Sequence, residues 1–228
     1  MRRGNGCSVE EISSRVEEYL EAIHRLEEKK GVAKTSELAE TLNVTFGTVT
    51  NTVENLEKQG LIVHVPYKGI KLTNKGRKIA LSIIRKHRLS ERLLTDILGM
   101  NWSKVHDAAC RLEHSLTDDV LKHLERILGH PSTCPHGNPI PTKCGGIFEE
   151  KSEPLTNLVS GEKGIIVKVT EEKPEVLEYL EKLKLLPGTL IEVEEKAPFE
   201  GPITLKIAKT SVSIGYNIAS IIYVKKFV

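Results

Sequence analysis

No stretch of this chain approaches the ~18 consecutive apolar residues of a membrane span, and the opening residues, Met1 to Ser8, are charged and glycine-rich with no apolar run behind them. A membrane partner and a secretory leader are therefore not expected, and the sequence reads as cytoplasmic. Cysteine is sparse: Cys7, Cys110, Cys134 and Cys144 in 228 residues lack the dense spacing of a secreted disulfide scaffold, which suggests reduced thiols available for metal or redox chemistry. Neither a His-Glu-x-x-His metalloprotease helix nor a Gly-x-Ser-x-Gly nucleophile elbow occurs, so an enzyme acting on an organic substrate is not expected. Internal repeats and low-complexity segments are absent too. A large excess of one charge is also missing, since a net charge of +2 does not mark the whole chain as a nucleic-acid binder.

The distribution of charge says more than its sum. Residues 1–60 carry eight Lys/Arg against eleven Glu, whereas residues 61–92 carry nine Lys/Arg (Lys68, Lys71, Lys75, Arg77, Lys78, Arg85, Lys86, Arg88, Arg92) against Glu91 alone. A local cationic stripe of this kind can neutralise phosphates in a nearly neutral protein. The order of elements around it is informative. Val16, Tyr19, Leu20, Ile23 and Leu26 recur at helical steps and predict a helix over 14–29, closed by Gly31. Thr35 reads as the cap of a short helix over 36–42, and a second helix runs from about Thr45 to Gln59 with Val49, Val53 and Leu56 inward. Two β-rich runs, 61–65 and 70–73, flank a Pro66-Tyr67-Lys68-Gly69 turn. Helix, helix, helix, hairpin is the order of a winged helix-turn-helix. Its second motif helix would present Thr45, Gly47, Thr48, Thr50, Asn51 and Thr52 to base edges, with Lys68 and Lys71 in the wing.

Helical stretches over 74–98, 103–115 and 118–128 follow, and then Pro131, Pro135, Pro139 and Pro141 break regular structure. From Leu158 the texture changes to short β-branched runs, 165–169, 190–194, 203–208 and 221–224, interrupted by one helix over 174–185, which reads as a small, partly open β-barrel. The expected fold is mainly α with a small β component. On the helix over 103–115, His106, Cys110, Glu113 and His114 fall within an arc of roughly 100°, while the preceding helix places His87 and Glu91 four residues apart on one face. Imidazole, thiolate and carboxylate together suit Fe²⁺, Mn²⁺, Co²⁺, Ni²⁺ or Zn²⁺ and not the oxygen-seeking Ca²⁺ or Mg²⁺. Cys134-Pro135-His136 offers further ligands; Cys7 and Cys144 have no evident role.

The strings RKHRLSERLLTDILG (85–99), VHDAACRLEHSLTDDV (105–120) and GNPIP (137–141) resemble the diphtheria toxin repressor, or iron-dependent regulator, family, which includes the manganese transport regulator. The resemblance spans nearly the whole chain and is strongest from 35 to 141. It implies a homodimeric, metal-dependent repressor of double-stranded, palindromic operator DNA with a winged helix-turn-helix domain (1–78), a helical dimerisation and metal-binding domain (79–145), a linker (146–157) and an SH3-like, FeoA-like domain (158–228). It also implies two ions per subunit. The primary site would use Cys110, Glu113 and His114 with Glu18, and the ancillary site His87, Glu91 and His106, with Glu171 or Glu172 as a possible addition. At Glu18 the sequence has the carboxylate of manganese sensors instead of the methionine of iron sensors, and at Cys110 it keeps the iron sensors' thiol. Iron(II) is the expected ion because the thiolate is the softer and more discriminating ligand. The alternatives are a manganese-responsive regulator of the same type, or a winged helix regulator that senses an organic ligand or the oxidation of Cys110.

Overall fold

A computed structural model of the chain describes residues 13–65 and 68–227. Cys7, and Pro66 and Tyr67 of the hairpin turn, lie outside the described residues. The chain divides into two compact units, Met1–Arg85 with Pro141–Gly146, and Lys86–Ile140 with Ile147–Val228.

In the first unit, α1 (Ser14–Lys30) buries Tyr19, Leu20, Ala22 and Ile23. It stops at Gly31, whose φ of 78° suits a residue without Cβ and whose N–H donates to Glu27 O at 2.7 Å. Helix α2 (Thr35–Thr41) begins one residue earlier than its sequence suggests, because the Glu37 carboxylate reaches back to accept the Lys34 N–H at 3.2 Å. Helix α3 (Phe46–Lys58) starts where Thr45 Oγ1 accepts the Thr48 N–H, and it buries Val49, Val53 and Leu56 against α1 and α2. Strands β1 (Ile62–Val65) and β2 (Gly69–Leu72) form the antiparallel wing, in register from Ile62↔Leu72 to Val65↔Gly69. Glu27 ties α1 to this wing by accepting the Leu72 N–H at 3.1 Å and pairing with Arg77 at 2.9 Å.

Helix α4 (Asn74–Arg92) carries the chain out of the first unit and into the second. The continuous helix expected to Leu98 instead ends in a π-helical turn, Leu93–Ile97, directly after Glu91 and Arg92. In the second unit, α5 (Val105–Glu113) and α6 (Asp118–Ile127) pack on the end of α4 through Leu89, Leu116, Leu121 and Leu124, and through Leu94, Val105 and Ala109. The C-terminal part is a six-stranded antiparallel sheet in the order β3-β8-β4-β5-β6-β7: β3 (Glu153–Pro154), β4 (Lys163–Val169), β5 (Leu190–Lys196), β6 (Ile203–Ile207), β7 (Thr210–Ile214) and β8 (Ile222–Lys226). Register shifts in β4 against β8 and in β5 against β6 bend the sheet around its buried Ile, Leu and Val side chains, with α7 (Pro174–Lys182) and α8 (Tyr216–Ser220) packed on it. Two strands, β3 and β7, and the short helix α8 go beyond the sequence reading. Strand β7 is an edge strand with mostly exposed residues, so it lacks the apolar alternation by which a half-buried strand is recognised. Among the described residues, no helix is long and apolar enough to cross a membrane.

Candidate metal centre

One turn of α4 separates His87 from Glu91, and both side chains are buried in the second unit. Helix α5 turns its His106, Cys110 and Glu113 toward them. His87 is the hub: its Nδ1 lies 2.7 Å from Glu113 Oε2 and 3.9 Å from Cys110 Sγ, and its Nε2 lies 3.3 Å from Glu91 Oε1. His106 approaches Cys110 Sγ with Nε2 at 3.6 Å and Glu172 Oε2 with Nδ1 at 3.3 Å. On the far side of Glu91, the 134–138 loop places His136 Nδ1 at 3.2 Å from the same Oε1, with Cys134 Sγ 3.9 Å from that nitrogen. The His136 Nε2–H donates to the Trp102 carbonyl at 2.9 Å, so Nδ1 is the atom turned to the carboxylate.

Among the described residues, three sets of donor atoms lie close enough together to hold a cation: His87, His106 and Cys110; His87, Glu91, His106 and Glu172; and Glu91, Cys134 and His136. Cys110 therefore faces the histidines assigned to the ancillary site as well as standing one turn from Glu113. Of the two carboxylates considered from the C-terminal region, Glu172 reaches the centre. Glu171 is turned away and accepts the N–H groups of Glu172 and Lys173, which shapes the turn before α7. His114 belongs to none of the three sets; its Nε2 is 3.4 Å from Glu113 Oε1. Glu18 is an exposed residue of α1 in the first unit.

The electrostatics describe a centre in which protons hold together groups that bind cations. Burial alone would push the imidazole pKa values down, but Cys110, Glu113 and the neighbouring Glu91 charge hold His87 well above its ordinary value, and Cys134 and the same Glu91 charge raise His136 to about 10. Burial would likewise raise Glu91, yet His136 and His87 hold it well below the usual carboxylate range. His106 is raised despite its burial, chiefly by Cys110 and Glu172, and Cys110 is lowered despite its burial by His106 and His87. Cys134 is raised by burial and by the neighbouring Glu91 charge.

Hydrogen bonding nevertheless leaves this centre incomplete. His87 Nε2, Glu91 Oε1 and His106 Nδ1 are fully buried yet make no hydrogen bond of good geometry, although each has a charged neighbour at 3.2–3.3 Å. Buried polar atoms are nearly always satisfied. Orphaned nitrogen and oxygen atoms that converge on one another fit a borderline divalent cation, and the adjoining thiol adds a soft ligand.

The second candidate surface is α3. Thr45, Gly47, Thr50 and Asn51 are exposed and Thr48 and Thr52 partly so. Thr50 and Thr52 donate their hydroxyls to the carbonyls of Phe46 and Thr48, which fixes the side chains on the helix. A Cβ at Gly47 would meet open space, and its φ is not left-handed, so the fold itself does not require glycine there. Phe46, 62% exposed at the start of α3, is a feature the sequence reading passed over. The cationic stripe is narrower than its composition. Arg77 pairs with Glu27, while Arg85 and Arg88 bond the carbonyls of Pro141 and Pro139 and Arg92 bonds that of Thr133, so these arginines hold the chain together. Lys68, Lys71, Lys75 and Lys78 remain exposed.

Comparison with known proteins matches residues 11–70 to the iron-dependent repressor N-terminal DNA-binding domain, residues 73–142 to the iron-dependent repressor metal-binding and dimerisation domain, and residues 153–226 to the FeoA domain. The chain is 33% identical over 226 residues to the iron-dependent repressor IdeR of Mycobacterium leprae, covering 92% of this chain and 96% of that protein. Its fold is similar to the solved structure of a manganese-dependent transcriptional repressor in complex with manganese, with a TM-score of 0.85 and 28% identity, covering 93% of this chain and all of the other. The structure of ScaR with bound Cd²⁺ is also similar, with a TM-score of 0.81, 28% identity and coverage of 93% and 99%.

Proposed function

This chain belongs to the iron-dependent repressor family of metal-dependent transcriptional repressors, which are DNA-binding proteins and not enzymes, and we propose that it acts in the cytoplasm as an iron(II)-activated homodimer on palindromic operator DNA of metal-uptake genes. The observation that carries the reading is the buried, unsatisfied atoms His87 Nε2, Glu91 Oε1 and His106 Nδ1, gathered beside Cys110. Three domains with a linker divide the work: residues 1–78 read DNA, 79–145 dimerise and hold metal, 146–157 connect, and 158–228 form the FeoA-like domain. The assignment is two ions per subunit. Cys110, Glu113 and His114 hold the primary ion, for which the family resemblance adds Glu18. His87, Glu91 and His106 hold the ancillary ion, with Glu172 beside them, and Cys134 and His136 share Glu91. A bound cation supplies the positive charge that protons otherwise supply in this cluster. The thiol of Cys110 favours iron over manganese; the carboxylate of Glu18 is the one feature that favours manganese.

On the DNA side, Asn51 is assigned to a base edge and Lys68 and Lys71 to phosphates, with Thr45, Gly47, Thr48, Thr50 and Thr52 lining the approach. A base contact carries sequence information, whereas a phosphate contact carries mainly salt-dependent affinity. In anaerobic salt series on operator and scrambled duplex at saturating Fe²⁺, Asn51→Ala is expected to cost about 1–3 kcal/mol on the operator and much less on the scrambled duplex. Lys68→Ala is expected to weaken both alike and to lower the salt slope by about one unit. Equal weakening of both duplexes by Asn51→Ala would refute base reading by that residue, and failure of the wild type to distinguish the duplexes would refute operator recognition.

A further inference from the structure

Trp102 is the chain's single tryptophan and stands in the turn before α5. It is 9% exposed, and among the buried residues of the C-terminal sheet core it is the one contributed by the helical region; all the others follow residue 154. Its indole N–H is buried without an acceptor, so packing and not polar bonding holds the ring there. Asn101 donates to the Glu181 carboxylate at 3.1 Å and Lys104 pairs with Glu178 at 3.4 Å, so α7 grips this turn on both sides of Trp102.

The same residue touches the candidate metal centre. Its carbonyl accepts the His136 Nε2–H at 2.9 Å, and its ring lies tilted against the His136 ring, 5.1 Å between centroids. The loop that carries His136 is fastened to the sheet from its other side. His136 O accepts the Val169 N–H at 2.9 Å, and Asn138 Nδ2 donates to Val169 O at 3.1 Å. Gly137, with a φ of 85°, lets the backbone come so close to β4 that a Cβ would lie 2.0 Å from Val167 O.

We propose that Trp102 is a positioning residue that couples assembly of the Glu91, Cys134 and His136 site to docking of the C-terminal sheet domain. Its carbonyl aims His136 Nδ1 at Glu91 and Cys134, while its ring sits in the sheet core and follows that domain. Loosening the sheet domain removes the orienting acceptor, and filling the site draws the ring and its domain inward. The proposal rests on reading Glu91, Cys134 and His136 as a metal site, and the experiment separates the two ideas.

The test uses the full-length chain with Cys7, Cys110 and Cys144 each replaced by serine, which leaves Cys134 as the only thiol, and Cd²⁺ as the probe. Binding at Cys134 is read from the thiolate-to-cadmium absorption band. Tryptophan emission reports Trp102 alone. Filling the site is expected to shift the emission in parallel with the absorption band, and His136→Ala is expected to abolish the shift. Trp102→Ala keeps that carbonyl but removes the ring that anchors it to the sheet core, and is expected to weaken Cd²⁺ binding at Cys134 by about tenfold, the scale of disturbing a group that orients a ligand. Trp102→Phe, which keeps a ring in the sheet core, is expected to restore most of the affinity. A band with no accompanying change in emission overturns the coupling without any need for a folded Trp102→Ala protein, and so does unchanged Cd²⁺ affinity in Trp102→Ala. Absence of the band in the parent protein overturns the site itself, and the coupling with it.

Discussion

Glu113→Gln is expected to abolish metal activation of operator binding while leaving a folded dimer. The carboxylate is buried, its Oε2 lies 2.7 Å from His87 Nδ1, and its Oε1 lies 3.4 Å from His114 Nε2, so it connects the two sets of ligands. Glutamine keeps the shape and removes the charge that makes the group a cation ligand. Metal and DNA binding in a two-state regulator favour each other by a common coupling free energy, typically ~1–3 kcal/mol or about 5- to 150-fold in affinity, and the variant is expected to lose all of it. His114→Ala is expected to behave similarly. His87 contacts Cys110, Glu113 and Glu91, which gives it more to lose than an ancillary ligand alone would have. His87→Ala is therefore expected to fall close to Glu113→Gln, although the family resemblance implies only an ancillary role for His87. Fluorescence anisotropy of labelled operator under anaerobic Fe²⁺, with size-exclusion chromatography as the control for dimer formation, checks the series. Wild-type activation in Glu113→Gln would remove this residue from the switch.

The second large effect concerns the stability of the metal-free protein. Glu91 is 1% exposed between two imidazoles whose pKa values it helps to raise, and removing one member of a buried charged group leaves the others uncompensated, at a cost of about 3–5 kcal/mol. Glu91→Ala is expected to lose stability on that scale in denaturant unfolding with chelator present. The loss depends on pH. His87 and His136 have folded pKa values above the ordinary 6.5, so their contribution is complete below that pH and disappears as pH rises through the folded values, about 10 for His136. Glu91 has a folded value below the ordinary 4.5, so its contribution is complete above 4.5 and disappears as pH falls through that depressed value. The variant is thus expected to differ most from the wild type between these two ordinary values, and less as the solution becomes alkaline and the histidines give up their protons. A stability difference that grew steadily from neutral to alkaline pH would contradict this charge arrangement.

Much of this organisation is legible in the residues themselves. The spacing of His106, Cys110, Glu113 and His114 marks one face of a helix, and apolar periodicity together with Gly31 and the cap signals at Thr35 and Thr45 outlines the helices of the winged domain. Charge counting is less informative, because it cannot show where a long side chain points: Arg85, Arg88 and Arg92 belong to the cationic stripe by composition but bond carbonyls of the proline-rich loop in the structure. That same loop brings Cys134 and His136 to Glu91 across more than 40 residues of sequence; proximity of that kind depends on tertiary packing that no local pattern encodes. The choice between Glu171 and Glu172 is likewise made by the turn before α7, which uses one carboxylate for backbone hydrogen bonds and leaves the other facing His106. Trp102 gives no signal in the sequence, since its part is played by a backbone carbonyl and a ring in a distant core.

The central claim is that a divalent cation held by this chain's histidine, cysteine and carboxylate side chains controls its binding to DNA. The most direct measurement is the affinity of the full-length homodimer for its operator under anaerobic conditions, first in excess chelator and then after the chelator is exchanged for saturating Fe²⁺. Specific binding is expected to be lost in chelator and to return with the metal; undiminished operator affinity in chelator would contradict the account.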